Sequence, residues 1–183
     1  LPHISLEIQR ARDWRRHGAF WIVLTASLAE DSYSVTRTID GTNYLLMLTD
    51  TAGQEEYRGL WAASNLKSDA FLLVYDITNP HSLDALEYFM EMIDMEEDGR
   101  IDSGSVPPVK MVVGNKCDLS GNRQVGSKQG LDWARQRRCG FMETSAREMV
   151  NIEETFARKT RETTGEQEKL LTAYRTCATC CRG

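Results

Sequence analysis

No lysine occurs before Lys67, and Gly18 is the only glycine before Gly41. The first forty residues, so poor in both, cannot fold back as a glycine-rich loop of converging N–H groups with a lysine beside them, the usual cradle for a phosphate. Positive charge is also in deficit. Lys and Arg number 22 against 27 Asp and Glu, for a net charge of −5, which argues against a nucleic-acid footprint. No apolar run approaches the ~18 residues that would span a bilayer. Cysteines are few and badly placed for a disulfide framework: Cys117 and Cys139 lie within the body of the chain, and Cys177, Cys180 and Cys181 crowd its end. That pattern points to a reducing, cytoplasmic setting.

What is present is an alternation of apolar runs and amphipathic stretches over 183 residues, enough for one domain with a real core. Ile4–Arg16 reads as a short amphipathic helix. Ala19–Leu24 suits a buried strand. Tyr33–Ile39 and Tyr44–Leu48 flank Asp40-Gly41 and read as a hairpin. Phe71–Tyr75 and Val109–Val113 are further buried strands. Ser82 can cap a helix running to about Met95, and Glu96–Pro108 reads as an acidic surface loop. Ser127–Arg138 is helical, Phe141-Met142 opens another strand, and a helix is expected from Asn151 towards Tyr174. Strands alternating with helices imply an α/β fold with a mostly parallel central sheet, covered on both faces. Ligands of such sheets bind at the carboxyl ends of the strands.

Three segments fall at those ends. Asp50-Thr51-Ala52-Gly53-Gln54-Glu55-Glu56-Tyr57 follows one strand, Asn115-Lys116-Cys117-Asp118 another, and Glu143-Thr144-Ser145-Ala146 a third. A carboxylate at Asp50 can reach a hydrated Mg²⁺. Gly53 permits close approach of its backbone to a phosphate. A carboxylate at Asp118 can accept from two adjacent N–H groups of a guanine edge, a bidentate pair that adenine cannot reproduce. Any one motif alone would pass for an ordinary polar turn.

Together and in this order the three segments resemble the nucleotide-binding set of Ras-type small GTPases. The resemblance implies a Ras-like fold of the P-loop NTPase type that binds GTP or GDP with Mg²⁺. It implies that Gln54 orients the attacking water, that Asp50 serves Mg²⁺, and that Gly53 meets the γ-phosphate. Asn115 would buttress the base loop, the stem of Lys116 would lie over the base, and Asp118 would read it. Ser145-Ala146 would set a backbone N–H against guanine O6. Glu30-Asp31-Ser32-Tyr33 resembles the effector-binding stretch of the Ras branch, and with Tyr57 it would meet Ras effectors and regulators. The Arg58–Ser64 run and the Glu96–Pro108 insertion look like fungal Ras proteins.

The resemblance starts at Glu30, so residues 1–29 stand as a non-family segment, 30–174 as an incomplete Ras-like domain with a degenerate amino-terminal third, and 175–183 as a Cys-rich tail. No G-x-x-x-x-G-K-[ST] occurs, and Leu28 sits where the family places a Mg²⁺-contacting Thr. The expected function is a guanine-nucleotide switch with impaired phosphate and Mg²⁺ binding. The alternatives are a non-hydrolysing module that binds effectors or regulators, and a truncated fragment whose residues 1–29 replace the true start. The membrane enters only where a tail Cys carries a lipid, at the cytoplasmic face of the plasma membrane. One architectural expectation is specific. Phe20–Leu24 should supply the central strand between Tyr44–Leu48 and Phe71–Tyr75, with no phosphate loop or helix after it.

Overall fold

The computed structural model describes residues 18–27, 31–52, 68–158, 162 and 165. Side chains are described for 34–41, 43–48, 68–158, 162 and 165. The strands are β1 (Gly18–Ser27), β2 (Asp31–Ile39), β3 (Thr42–Ala52), β4 (Ala70–Asp76), β5 (Val109–Asn115) and β6 (Gly140–Glu143). The helices are α1 (Pro80–Asp84), α2 (Leu86–Asp102), a 3₁₀ segment η1 (Cys117–Asn122) and α3 (Ser127–Gln136), followed by α4 over 152–158.

The six strands form one sheet in the order β2-β3-β1-β4-β5-β6. Only the β2–β3 pair is antiparallel. Its turn works because Asp40 and Gly41 both take positive φ, 51° and 81°, the backbone of the tight hairpin turns that match strand twist. β1 lies in the centre. It runs parallel to β3, from Gly18 opposite Tyr44 to Ser27 opposite Ala52. It also runs parallel to β4, with Ile22, Val23 and Leu24 opposite Ala70, Phe71 and Leu72. The central-strand expectation for Phe20–Leu24 is borne out.

The strand also extends three residues past Leu24, so only residues 28–30 separate it from β2. Four Cα steps of about 3.8 Å reach at most about 15 Å. Crossing over the intervening β3 takes about 10 Å. The step lies within the reach of three residues.

Alternation along β4 divides the core. Phe71, Leu73 and Tyr75 pack with Leu83 of α1, with Leu86, Phe89, Met90 and Ile93 of α2, and with Ala134 of α3. Ala70 and Leu72 face the other way, with Leu46, Leu48, Met111 and Val113, against which Phe156 of α4 packs. This is the period-two pattern of a strand buried on both faces.

Two expectations are corrected. The cap before the first helix is Asn79, whose side chain accepts from the His81 N–H, with Pro80 at the start of the helix. Asn followed by Pro is the stronger start signal, and Ser82 lies one turn inside. Its hydroxyl donates to the Asn79 carbonyl at 2.6 Å instead. The second correction is Glu96–Pro108, whose first seven residues continue α2 to Asp102. Gly99 weakens the helix but does not end it, because Glu96 and Arg100 pair across one turn at 2.9 Å. Lys110 of β5 also ties Asp94, at 2.7 Å, and Glu97 to the sheet. The expected helices at Ile4–Arg16 and beyond residue 165 lie outside the described residues.

Candidate functional site

The carboxyl ends of β4, β5 and β6 meet on one rim of the sheet, where β4 ends at Asp76 opposite Asn115. Two loops leave that rim and are stitched together. The Thr144 N–H donates to the Gly114 carbonyl at 2.9 Å, and the Cys117 N–H donates to the Thr144 carbonyl at 3.0 Å. The Asn115 side-chain oxygen accepts from the Ala146 N–H at 3.2 Å and from the Thr144 hydroxyl at 3.4 Å. The Ser145 hydroxyl donates to Asp118 Oδ1 at 2.6 Å and accepts from the Glu148 N–H at 3.0 Å. Thr144 and Ser145 are buried, so the seam between the loops is interior and its polar groups are paired, as burial demands.

Asn115, Asp118, Ser145 and Ala146 are therefore brought together, with Lys116 in the same loop between Asn115 and Asp118. Asn115 holds one loop to the other. Asp118 is half-buried, and its second oxygen has no hydrogen-bond partner among the described residues. That oxygen can accept a further N–H. The donor expected at Ser145-Ala146 is differently placed. The Ser145 N–H goes to the Val150 carbonyl and the Ala146 N–H to Asn115, so Ala146 reaches a base oxygen only as a shared donor.

Lys116 stands apart in its backbone, at φ 65° and ψ 34°, a left-handed conformation uncommon outside glycine. Its ammonium meets Asp76 Oδ2 at 2.5 Å. Burial would push the Asp76 carboxyl up, but the bonds from Lys116 and Thr78 outweigh it and hold the group below the usual carboxylate range.

Beneath the loops Glu143 is the main electrostatic anchor. Arg123 donates to both of its oxygens, at 2.6 and 3.0 Å, and Ser127 adds a third bond at 2.8 Å. Burial raises the Glu143 carboxyl, yet these donors bring it below the ordinary value. Asn151 donates to the Glu143 carbonyl at 2.8 Å. The Cys117 thiol is pushed up by burial and by the nearby Glu143 and Asp118 charges.

Of the other predicted residues, only Asp50 and Asp31–Tyr33 are described. Asp50 lies in β3, in register with Leu24 of β1 and Asp31 of β2. Asp31, Ser32 and Tyr33 form the start of β2, the edge strand. Glu30, Gly53, Gln54 and Tyr57 lie outside the described residues. Among the described residues no group of three or more His, Cys, Asp or Glu could hold a metal ion, and no helix is long and apolar enough to cross a membrane. Sequence reasoning singled out neither Asp76 nor Arg123. For Asp76 the signal was available: it is the polar residue that ends the apolar strand beside Asn115.

A parallel sheet with its base-loop motifs on the carboxyl rim defines the Ras-like α/β class. The sequence model of the Ras family matches residues 17–165, and the chain belongs to that family. Members are small GTPases that generally bind GTP or GDP with Mg²⁺ and work through effectors and regulators.

Proposed function

We propose that this chain is a Ras-family protein that still recognises guanine but has lost phosphate and Mg²⁺ binding, and with them the hydrolytic cycle. The observation that carries the reading is a contrast along one rim. At β5 and β6 the two base loops are cross-linked, with a free Asp118 oxygen among the described residues. At β1, where the family places its phosphate loop, the strand pairs with β3 through Leu24 and, after a register shift, again at Ser27. Three residues then lead to β2.

The residues present fit a guanine base and do not fit a triphosphate with its Mg²⁺. No lysine precedes Lys67 and Gly18 is the only glycine before Gly41, so the sequence there offers no glycine-rich loop with a lysine to hold phosphate. Hydrogen bonds to charged groups are worth roughly 1.5–3 kcal/mol each. Losing a lysine and two loop amides removes roughly 4.5–9 kcal/mol, or three to six powers of ten in affinity. Asp50 alone does not restore a metal site.

Calorimetric titration of the full chain tests this. Guanosine, GDP and GTP should bind with similar, weak affinity, Mg²⁺ should add little, and adenosine should not bind. Tight, Mg²⁺-dependent GTP binding would overturn the proposal.

A second reading, an interaction module for Ras effectors or regulators, draws support from β2. Among the described residues the strand pairs only with β3 and exposes Ser34, Thr36, Arg37 and Thr38. On this reading a Ras effector domain binds equally with and without added GTP, and loss of binding without GTP would count against it. The fungal-like branch rests on the Arg58–Ser64 run and the Glu96–Pro108 segment. A cytoplasmic location, with membrane attachment only through lipid on Cys177, Cys180 or Cys181, completes the proposal.

A further inference from the structure

We propose that Asp76 is a positioning residue of the base loop, fixing the Lys116 side chain beside the place where the base is read. This rests on the guanine-recognition reading above.

The argument starts from how firmly Asp76 is itself held. It is the last residue of β4, in register with Asn115, the last of β5. Its backbone N–H donates to the Ser82 hydroxyl at 2.9 Å. Its Oδ1 accepts from the Thr78 N–H at 2.8 Å and from the Thr78 hydroxyl at 2.7 Å. With Oδ1 occupied, Oδ2 is turned to the Lys116 ammonium at 2.5 Å. The carboxylate is thus oriented before it meets the lysine.

Lys116 needs such a partner. It carries a long rotamer-rich side chain, costly to order, on a backbone in the left-handed region. It makes no side-chain capping bond to the 3₁₀ segment that follows. Among the described residues Asp76 is the only acidic group paired with it. The ion pair ties the end of β4 to the loop after β5 across the rim and fixes the lysine side chain two residues before Asp118 in the chain. A base arriving there meets a side chain already in place, and preorganisation of this kind improves affinity without adding a contact. The exposure of the pair, 49% for the Lys116 side chain and 22% for that of Asp76, keeps the effect modest because water and salt screen it.

The test is calorimetric titration with guanosine of four full-length proteins: wild type, Asp76→Ala, Lys116→Met and the double variant. Methionine keeps an apolar stem and removes the charge. Asp76→Ala should weaken guanosine binding roughly two- to fivefold at low salt, the range of a screened ion pair, and less at high salt. In the Lys116→Met background it should have no further effect. A purely structural role for Asp76 would give equal, salt-independent losses in both backgrounds. Guanosine binding unchanged by Asp76→Ala, or additive losses, would overturn this proposal alone. A wild type that binds no guanosine would overturn the guanine reading and this proposal with it. Thermal unfolding of each variant separates misfolding from weaker binding, and Asp76→Asn, which retains an acceptor for Thr78, reproduces the loss in a protein less disturbed than Asp76→Ala.

Discussion

At the scale of single residues, two groups near the base loops are shifted in opposite directions. Tyr75 is buried, and its hydroxyl has no hydrogen-bond partner among the described residues. It fits only because two glycines leave room: a Cβ on Gly114 would stand 2.8 Å from that oxygen, and one on Gly130 only 2.2 Å. Burial, then the Glu143 charge, pushes the Tyr75 hydroxyl up to about 12. Tyr75→Phe removes an unpaired polar group and should raise the unfolding free energy by about 1 kcal/mol, read by urea denaturation. Gly130→Ala should destabilise strongly, and less so when Tyr75 is already Phe. Absorbance titration of the wild type should show a tyrosine ionising at about pH 12 that Tyr75→Phe removes.

Glu143 behaves in the reverse sense. Its folded pKa lies below the ordinary value of 4.5. Its contribution to stability is therefore fully present above pH 4.5 and is lost as the pH falls through the folded value. Glu143→Gln should cost about 1.5–3 kcal/mol at pH 7, and the difference from wild type should shrink below pH 4.5 in urea melts followed across pH.

At the scale of elements, β1 decides whether the domain exists. Val23 is in register with Thr49 on one side and Phe71 on the other. Proline there removes a ladder donor from a strand paired on both edges, where proline is essentially never found. Val23→Pro should cost about 3 kcal/mol or more and abolish cooperative unfolding seen by circular dichroism. The strands were legible in the sequence because short apolar runs of Val, Leu, Phe and Ile bounded by polar turns have few other solutions. Asp40-Gly41 was legible because its turn demands positive φ. The reach of α2 was not. Gly99, Gly104 and two prolines suggest a loop by composition, whereas the helix is held by the distant Lys110 of β5, which no local reading sees. Asn115, Lys116, Asp118 and Ser145 were legible as a constellation because motif order fixes them to one rim. The partner that Asp76 gives Lys116 was not, because it comes from a register across strands 40 residues apart.

At the scale of the whole molecule, the proposed loss of phosphate and Mg²⁺ binding bears on chemistry. Positioning catalysis needs a fixed γ-phosphate and its metal. We expect no single-turnover GTP hydrolysis above the buffer rate, with or without a Ras-activating partner, and no change on Gln54→Leu; stimulated turnover that the substitution removes would refute this. The sheet itself carries another consequence. β3 holds β1 through eight register pairs and β5 holds β4 through seven, but β1 and β4 share only three. The short seam divides the sheet into a leaf of β2, β3 and β1 and a leaf of β4, β5 and β6. Cooperative units in proteins part where the fewest bonds cross. Under mild denaturant the first leaf should peel away as a body, exchanging its amide hydrogens early, while the leaf that carries both base loops keeps its protection until global unfolding.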